Sequence, residues 1–173
     1  MVVVLMGYMG SGKSTIGKHL AEVLNYNFID LDDYISGKEN SSVTSIFNTK
    51  GEIYFRKKEA YYLNEIVSTS GNIVLALGGG TPCYGNNLQL IKANASCVSF
   101  YLKLTIPQLV KRLFTEKAAR PLIAHVKDSD ELQEYIGKHM FERSAYYAQA
   151  DYSINTGELS IDEGVEAIVL KLI

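Results

Sequence analysis

Short apolar runs alternate with longer stretches of helical periodicity along most of the chain. Val2 to Met6, Phe28 to Ile29, Ile73 to Leu77, Cys97 to Leu102 and Tyr152 to Ile154 are rich in β-branched, aliphatic and aromatic residues and are bounded by Gly, Asp or Asn, which reads as five short buried strands. The segments between them carry helix start signals. Thr105 with Gln108 and Ser160 with Glu163 have capping-box spacing, and Pro107 suits a first helical turn. Ile16 to Leu24 reads as a helix, Ser41 to Lys50 as another that stops at Gly51, and Glu52 to Ser70 as a longer one beyond it. Strand, helix, strand repeated in this way predicts an α/β fold, a parallel sheet covered by helices on both faces. Ligands of such sheets bind beyond the carboxyl ends of the strands. Chemistry is therefore expected just after each apolar run.

Length and composition narrow the setting. The 173 residues contain no linker-like stretch and no internal repeat, so one domain spanning 1–173 is expected. Seventeen Lys+Arg against nineteen Asp+Glu leave a net charge of −2, no excess with which to neutralise a nucleic-acid backbone or an anionic membrane. The apolar run Met1 to Met6 is far short of the ~20 residues of a membrane span and lacks a charged leader and cleavage site. A cytoplasmic protein with neither nucleic acid nor membrane as partner is expected. Cys83 and Cys97 form no CxxC pair and are expected to be reduced, structural thiols. His19, His125 and His139 lack metal-ligand spacing, and the twelve tyrosines are expected to serve packing.

The first run leads into Gly7-Tyr8-Met9-Gly10-Ser11-Gly12-Lys13-Ser14, which fits G-x-x-x-x-G-K-[ST] between a strand and a helix. Glycines let successive backbone N–H groups face inward, where they and the helix N-terminus stabilise phosphate oxygens. Gly10, Ser11, Gly12, Lys13, Ser14 and Thr15 are the expected nucleotide-binding residues, with Lys13 on the β- and γ-phosphates and the Ser14 hydroxyl on Mg²⁺. Thr15 and Gly17 also read as helix-packing positions. No NKxD base-reading motif is present, so ATP is the expected donor.

After the second run comes Asp30-Leu31-Asp32-Asp33, where an extended chain would put Asp30 and Asp32 on one side. One carboxylate suits the metal's hydration shell and the other an acceptor hydroxyl, to orient it or take its proton. Asp33 reads as the cap of a helix starting near Tyr34. The third run ends in Gly78-Gly79-Gly80, where a turn needs one glycine, and this suggests bare backbone against a ligand.

With these motifs in order, joined by IFNTKGEIYFRKKE, ARPLI and ERSAYYAQAD, the sequence resembles the shikimate kinases over essentially its whole length. The resemblance implies a P-loop kinase fold of three α/β/α layers on a five-stranded parallel sheet of order 2-3-1-4-5, with a mobile lid. It implies ATP- and Mg²⁺-dependent phosphorylation of the shikimate 3-hydroxyl by a monomer, on the route to chorismate and the aromatic amino acids. Asp30, with Ser14, then matches the magnesium side, and Asp32 the residue that binds the acceptor hydroxyl and is the candidate base. Arg56 and Arg143 match the arginines that grip the substrate carboxylate, Gly78, Gly79 and Gly80 the backbone that meets the ring, and Arg120 the lid arginine. Arg112 matches the residue flanking adenine, and Phe47, Phe55, Pro121 and Leu122 match walls of the substrate pocket. Arginine suits these tasks as a planar fork for a carboxylate and a charge for a transferring phosphoryl group. The lid is expected over about 115–128 and the substrate-binding helical region over about 32–60. Taken without the resemblance, Arg56, Lys57, Lys58 and Glu59 read as a solvated helix face.

Two features depart from the family pattern. No acidic residue ends the Ile73 to Leu77 run, which leaves Asp30 alone for the metal, and Ala145 stands where many members have proline. The rival readings are a related kinase of another hydroxy acid such as gluconate, which a substrate panel separates, and a silent nucleotide-binding module, which the presence of Lys13 and Asp32 disfavours.

Overall fold

The apolar runs become strands. In the computed structural model, which describes residues 1–173, β1 (Val2–Met6), β2 (Asn27–Asp30), β3 (Ile73–Ala76), β4 (Cys97–Lys103) and β5 (Tyr152–Asn155) form one sheet in the order β2-β3-β1-β4-β5. All four neighbouring pairs are parallel. The central β1 is buried throughout, and its pleat divides it between two cores. Val2, Val4 and Met6 face one layer of helices, while Val3 and Leu5 face the other.

On the Val3 and Leu5 side lie α1 (Lys13–Leu24) and α7 (Ile161–Leu172). Gly17 brings α1 onto the sheet: a Cβ there would stand 2.6 Å from the Phe28 ring and 3.1 Å from Leu5. The opposite side holds α2 (Leu31–Glu39), α3 (Val43–Val67), α4 (Asn87–Ala93), α5 (Ile106–Glu116) and α6 (Ser129–Tyr147). Both capping boxes form, Thr105 with Gln108 and Ser160 with Glu163. No helix is long and apolar enough to cross a membrane.

Three boundaries differ from expectation. Gly12 takes a left-handed conformation as the cap of α1, so the helix starts at Lys13 rather than near Ile16. Gly51, at φ 81° and ψ 169°, interrupts α3 as a kink, and the expected stop joins two helical stretches without a loop. The third is α2, which begins at Leu31 under an Asp30 cap. The short α4 carries too few apolar positions to declare itself in the sequence pattern.

One carboxylate ties α2 to α3. Glu39 accepts hydrogen bonds from the Tyr54 hydroxyl (2.6 Å) and the Tyr62 hydroxyl (2.7 Å) and pairs with Lys58 at 2.9 Å. The Tyr54 and Tyr62 hydrogen bonds, with Lys58, hold its carboxyl down at about 2. Its folded value lies below the ordinary carboxylate value, so this contribution is present above that value and lost as pH falls toward 2.

Gly7 joins β1 to the loop that follows at φ 149°, and a Cβ there would lie 2.8 Å from the Leu102 carbonyl oxygen of β4. Neither the backbone conformation nor the space suits a side chain. Gly7→Ala is expected to cost about 2 kcal/mol of stability, seen as a lower urea midpoint at unchanged m. An unchanged midpoint would mean that β1 and β4 part there at little cost.

Candidate active site

The loop between β1 and α1 wraps around its own lysine. Gly10 and Gly12 take positive φ (77° and 93°), and Lys13, in the first turn of α1, turns back into the loop. Its ammonium donates to the carbonyl oxygens of Gly7 and Tyr8, each at 2.9 Å, and lies 3.5 Å from the buried Ser11 hydroxyl. Burial pushes Lys13 down to about 8, with Asp32 and Asp30 acting in the opposite direction.

The aspartates sit on a strand-to-helix switch. β2 ends at Asp30, whose Oδ1 accepts the N–H groups of Asp32 (3.1 Å) and Asp33 (3.4 Å), and so caps α2. Asp33 is therefore not the cap; it is exposed in the first helical turn. Nor do Asp30 and Asp32 share a face of an extended segment, because Asp32 is already helical. The Oδ2 of Asp30 instead accepts from the Ser14 hydroxyl at 2.8 Å, and Asp32 faces the glycine turn after β3. Ser14 and Asp30 thus place two side-chain oxygens side by side.

Two cavities open at the carboxyl ends of the strands. One, of about 400 Å³, is lined by Gly10, Gly12, Thr15 and Arg112, and by Thr156 and residues 159–161 in the loop after β5. Thr15 is exposed in this cavity rather than packed in a helix interface. Arg112 donates to the Gly10 carbonyl at 3.3 Å. The loop after β5 was not anticipated; its signal in the sequence is a lone threonine following the last strand, and the buried Thr156 hydroxyl has no partner. The second cavity, of about 350 Å³, brings together Asp32, Arg56, Gly78, Gly79, Gly80 and Arg143, with Phe47, Phe55, Pro121 and Leu122 as apolar walls. Arg120 lines both.

The glycine turn is where these side chains meet. A Cβ on Gly78 would lie 3.1 Å from Asp32, one on Gly79 would lie 3.6 Å from Arg143, and one on Gly80 would lie 3.0 Å from Arg56. Bare backbone here makes room for the protein's own charged groups as well as for a ligand.

Arg56 is committed on one edge. Its Nη1 donates to both oxygens of Glu59 (3.1 and 2.9 Å) and its Nε to Glu52 at 3.4 Å, which leaves Nη2 without a protein acceptor. Glu59 is only 1% exposed and also accepts from the Thr81 hydroxyl at 2.7 Å, so it is not part of a solvated face. Arg143 comes from α6, which docks by a stripe one turn apart. His139 meets the Tyr8 hydroxyl at 2.8 Å, Arg143 lies 5.8 Å from the Tyr8 ring centre, and the Tyr147 hydroxyl donates to the Gly79 carbonyl. Ala145 is exposed on this helix, and Arg143 reaches the cavity regardless.

Thr115 and Glu116, expected in the lid, are the last residues of α5, and residues 117–128 join α5 to α6 through a 3-10 turn, Lys117–Ala119. Lys117 ties its ends by donating to the carbonyls of Val126 (3.0 Å) and Lys127 (3.3 Å), and Ile123 and Val126 are buried beneath it. Arg120 is paired with Glu116 one helical turn before it. The cysteines are free and half-buried, and burial pushes both thiols up. His19 pairs with Asp162 at 3.0 Å, away from both cavities.

Comparison with known proteins agrees with this architecture. A model of the shikimate kinase family matches residues 9–173. The shikimate kinase of Flavobacterium johnsoniae is 45% identical over 167 residues, 96% of this chain and 96% of that protein. That of Azobacteroides pseudotrichonymphae is 40% identical over 170 residues, 98% of each. Among solved structures, shikimate kinase from Bacteroides thetaiotaomicron superposes with a TM-score of 0.92 at 34% identity, covering 99% of this chain and 98% of that one. Shikimate kinase from Acinetobacter baumannii, solved in complex with shikimate, superposes with a TM-score of 0.87 at 30% identity, covering 99% and 92%.

Burial, and then the neighbouring Asp30 and Glu59, push the Asp32 carboxyl up to about 6. A carboxyl whose folded value exceeds its unfolded one weakens the fold as pH rises through that interval. Asp32→Asn is therefore expected to melt above the parent at about pH 7.5, by the equivalent of about 1–3 kcal/mol, and the gain should vanish by about pH 4. Equal melting at both pH values would mean that Asp32 is well solvated in the folded chain.

Proposed function

The chain belongs to the shikimate kinase family, and we propose that it transfers the γ-phosphoryl group of ATP to the 3-hydroxyl of shikimate, giving shikimate 3-phosphate and ADP. The observation that carries this reading is the position of Arg120 on the wall between two cavities, one against the glycine loop and the other holding the carboxylates of Asp32 and Glu59 and two further arginines.

The loop amides and Lys13 bind the triphosphate, and Arg112 flanks the base. Arg56 and Arg143 hold the substrate carboxylate, with the backbone of Gly78, Gly79 and Gly80 against the ring. Asp32 accepts the hydrogen of the 3-hydroxyl. As that oxygen bonds to the γ-phosphorus, the bond to the leaving oxygen of ADP breaks and the proton passes to Asp32. Burial raises the proton affinity of Asp32 above that of an ordinary carboxylate, which favours this transfer. Arg120 and Lys13 meet the charge spread over the transferring group, so catalysis is chiefly positioning and electrostatic stabilisation.

Ser14 and Asp30 fit a magnesium ion, which takes one or two protein oxygens and completes its shell with water and phosphate. Ser14 and Asp30 would hold the ion, and its charge would offset that of the phosphates during transfer. Residues 1–173 act as one unit in this reading, with 115–128 as a lid that excludes water. We take the protein as a monomer, and a reaction on small molecules driven by ATP supports a cytoplasmic setting without nucleic-acid or membrane partners.

A panel of hydroxy acids with ATP and Mg²⁺ tests the assignment through ADP release. Turnover of shikimate is expected and turnover of gluconate is not; the reverse would overturn it. Arg56→Lys is expected to raise the shikimate KM by about tenfold, with the ATP KM unchanged. An unaffected shikimate KM would remove Arg56 from the substrate site.

A further inference from the structure

We propose that Tyr84 is a positioning residue for Arg56, its ring covering the outer face of the guanidinium and fixing the plane in which Nη2 is offered to the substrate carboxylate. This rests on the function proposed above and names a residue that acts through another.

Arg56 is a partition between two hollows, the 350 Å³ cavity that holds Asp32 and Arg143 and a cleft of about 520 Å³ outside it. Tyr84 lines only the outer cleft, so it does not touch what binds within. The Arg56 Cζ lies 3.7 Å from the Tyr84 ring centre, which is direct stacking contact, against 5.2 Å for Phe55 and 5.9 Å for Phe47. Glu59 through Nη1 and Glu52 through Nε hold the guanidinium by its edge, in-plane contacts that resist sliding more than rocking out of the plane. A ring in contact with its face removes that rocking motion and keeps water in the outer cleft from hydrating the cation.

The backbone that carries the ring is itself held. The Tyr84 carbonyl accepts the Asn87 N–H at 3.3 Å, and the buried Asn87 side chain donates to the Thr81 carbonyl at 3.0 Å. Thr81 in turn donates through its hydroxyl to Glu59, at 2.7 Å, so the cation's edge and face are set from one short segment. Gly80 completes the arrangement: a Cβ there would stand 3.0 Å from Arg56 Nη2 and 3.3 Å from Tyr84 Cε2. The third glycine of the turn is the position that lets ring and cation meet.

Tyr84→Ala, Tyr84→Leu and Tyr84→Phe test the proposal in the full chain, once shikimate turnover by the parent is established. If the parent does not turn shikimate over, the function fails; the present inference is judged only on the variants of an active parent. The Ala and Leu variants are expected to raise the shikimate KM by about 5- to 10-fold, with kcat and the ATP KM within about twofold of the parent. Phe keeps the π face and is expected to restore the parent KM within about twofold. The dissociation constant for shikimate alone, by calorimetry, should rise with KM. The proposal is overturned if the Ala and Leu variants keep the parent KM, if kcat and the ATP KM shift along with it, or if Leu restores binding as fully as Phe. Should the Ala variant fail to fold, the comparison of Leu with Phe, which conserves bulk, decides the matter.

Discussion

Three charged side chains from three helices converge because the backbone after β3 carries no side chains. Asp32 comes from α2, Arg56 from α3 and Arg143 from α6, and each approaches a different glycine of Gly78-Gly79-Gly80 to between 3.0 and 3.6 Å of where its Cβ would stand. Protein interiors are packed too tightly to absorb three added methyl groups at one such point. The turn therefore sets how close the acid-binding groups come to one another and to the phosphate loop, whose Met9 amide and Gly7 carbonyl also border Gly79. Tyr147 secures the turn from the far side through its hydrogen bond to the Gly79 carbonyl, and belongs to the same helix as Arg143.

The groups gathered there are poised at an energetic cost to the fold. Burial lowers Lys13 to about 8 and raises Asp32 to about 6, so keeping each group charged at neutral pH works against the fold. Two buried cores and the α2–α3 tie through Glu39 carry that cost. Strained charge of opposite sign on the two sides of a transfer path is what phosphoryl transfer uses: an amine that meets anionic oxygens and a carboxylate that accepts a proton.

Much of this was legible in the chain because it depends on local chemistry. β1 runs directly into glycines followed by Lys13 and Ser14, and strand, loop and helix there are each dictated within a few residues. The order of the strands is another matter. Apolar runs show that strands exist, but their placement as β2-β3-β1-β4-β5 came from the family resemblance, not from periodicity. The misread positions were those where a neighbour in space decides. Glu59 looked solvated among Lys57 and Lys58, yet Arg56 and Thr81 bury it. Asp33 looked like a cap, but β2 ends soon enough for Asp30 to take that role. Thr156 and the loop after β5 gave little local signal, since a threonine past a strand end becomes notable only once a cavity lies beside it.

The commitment of Arg56 Nη1 to Glu59 has a consequence for how an acid is held. A free guanidinium can take both oxygens of a carboxylate on one edge, but here only Nη2 remains without a protein acceptor. In the function proposed here, a bound carboxylate is then shared between Arg56 on α3 and Arg143 on α6, which approach neighbouring glycines of the turn. Affinity for the acid becomes a property of the spacing between two helices rather than of one arginine. Arg120 belongs to the segment joining α5 to α6, so the helix that completes the acid site also anchors the segment whose arginine borders the nucleotide cavity. The same helix meets the loop at Tyr8 and the turn at Gly79, so its position bears on the walls of both cavities.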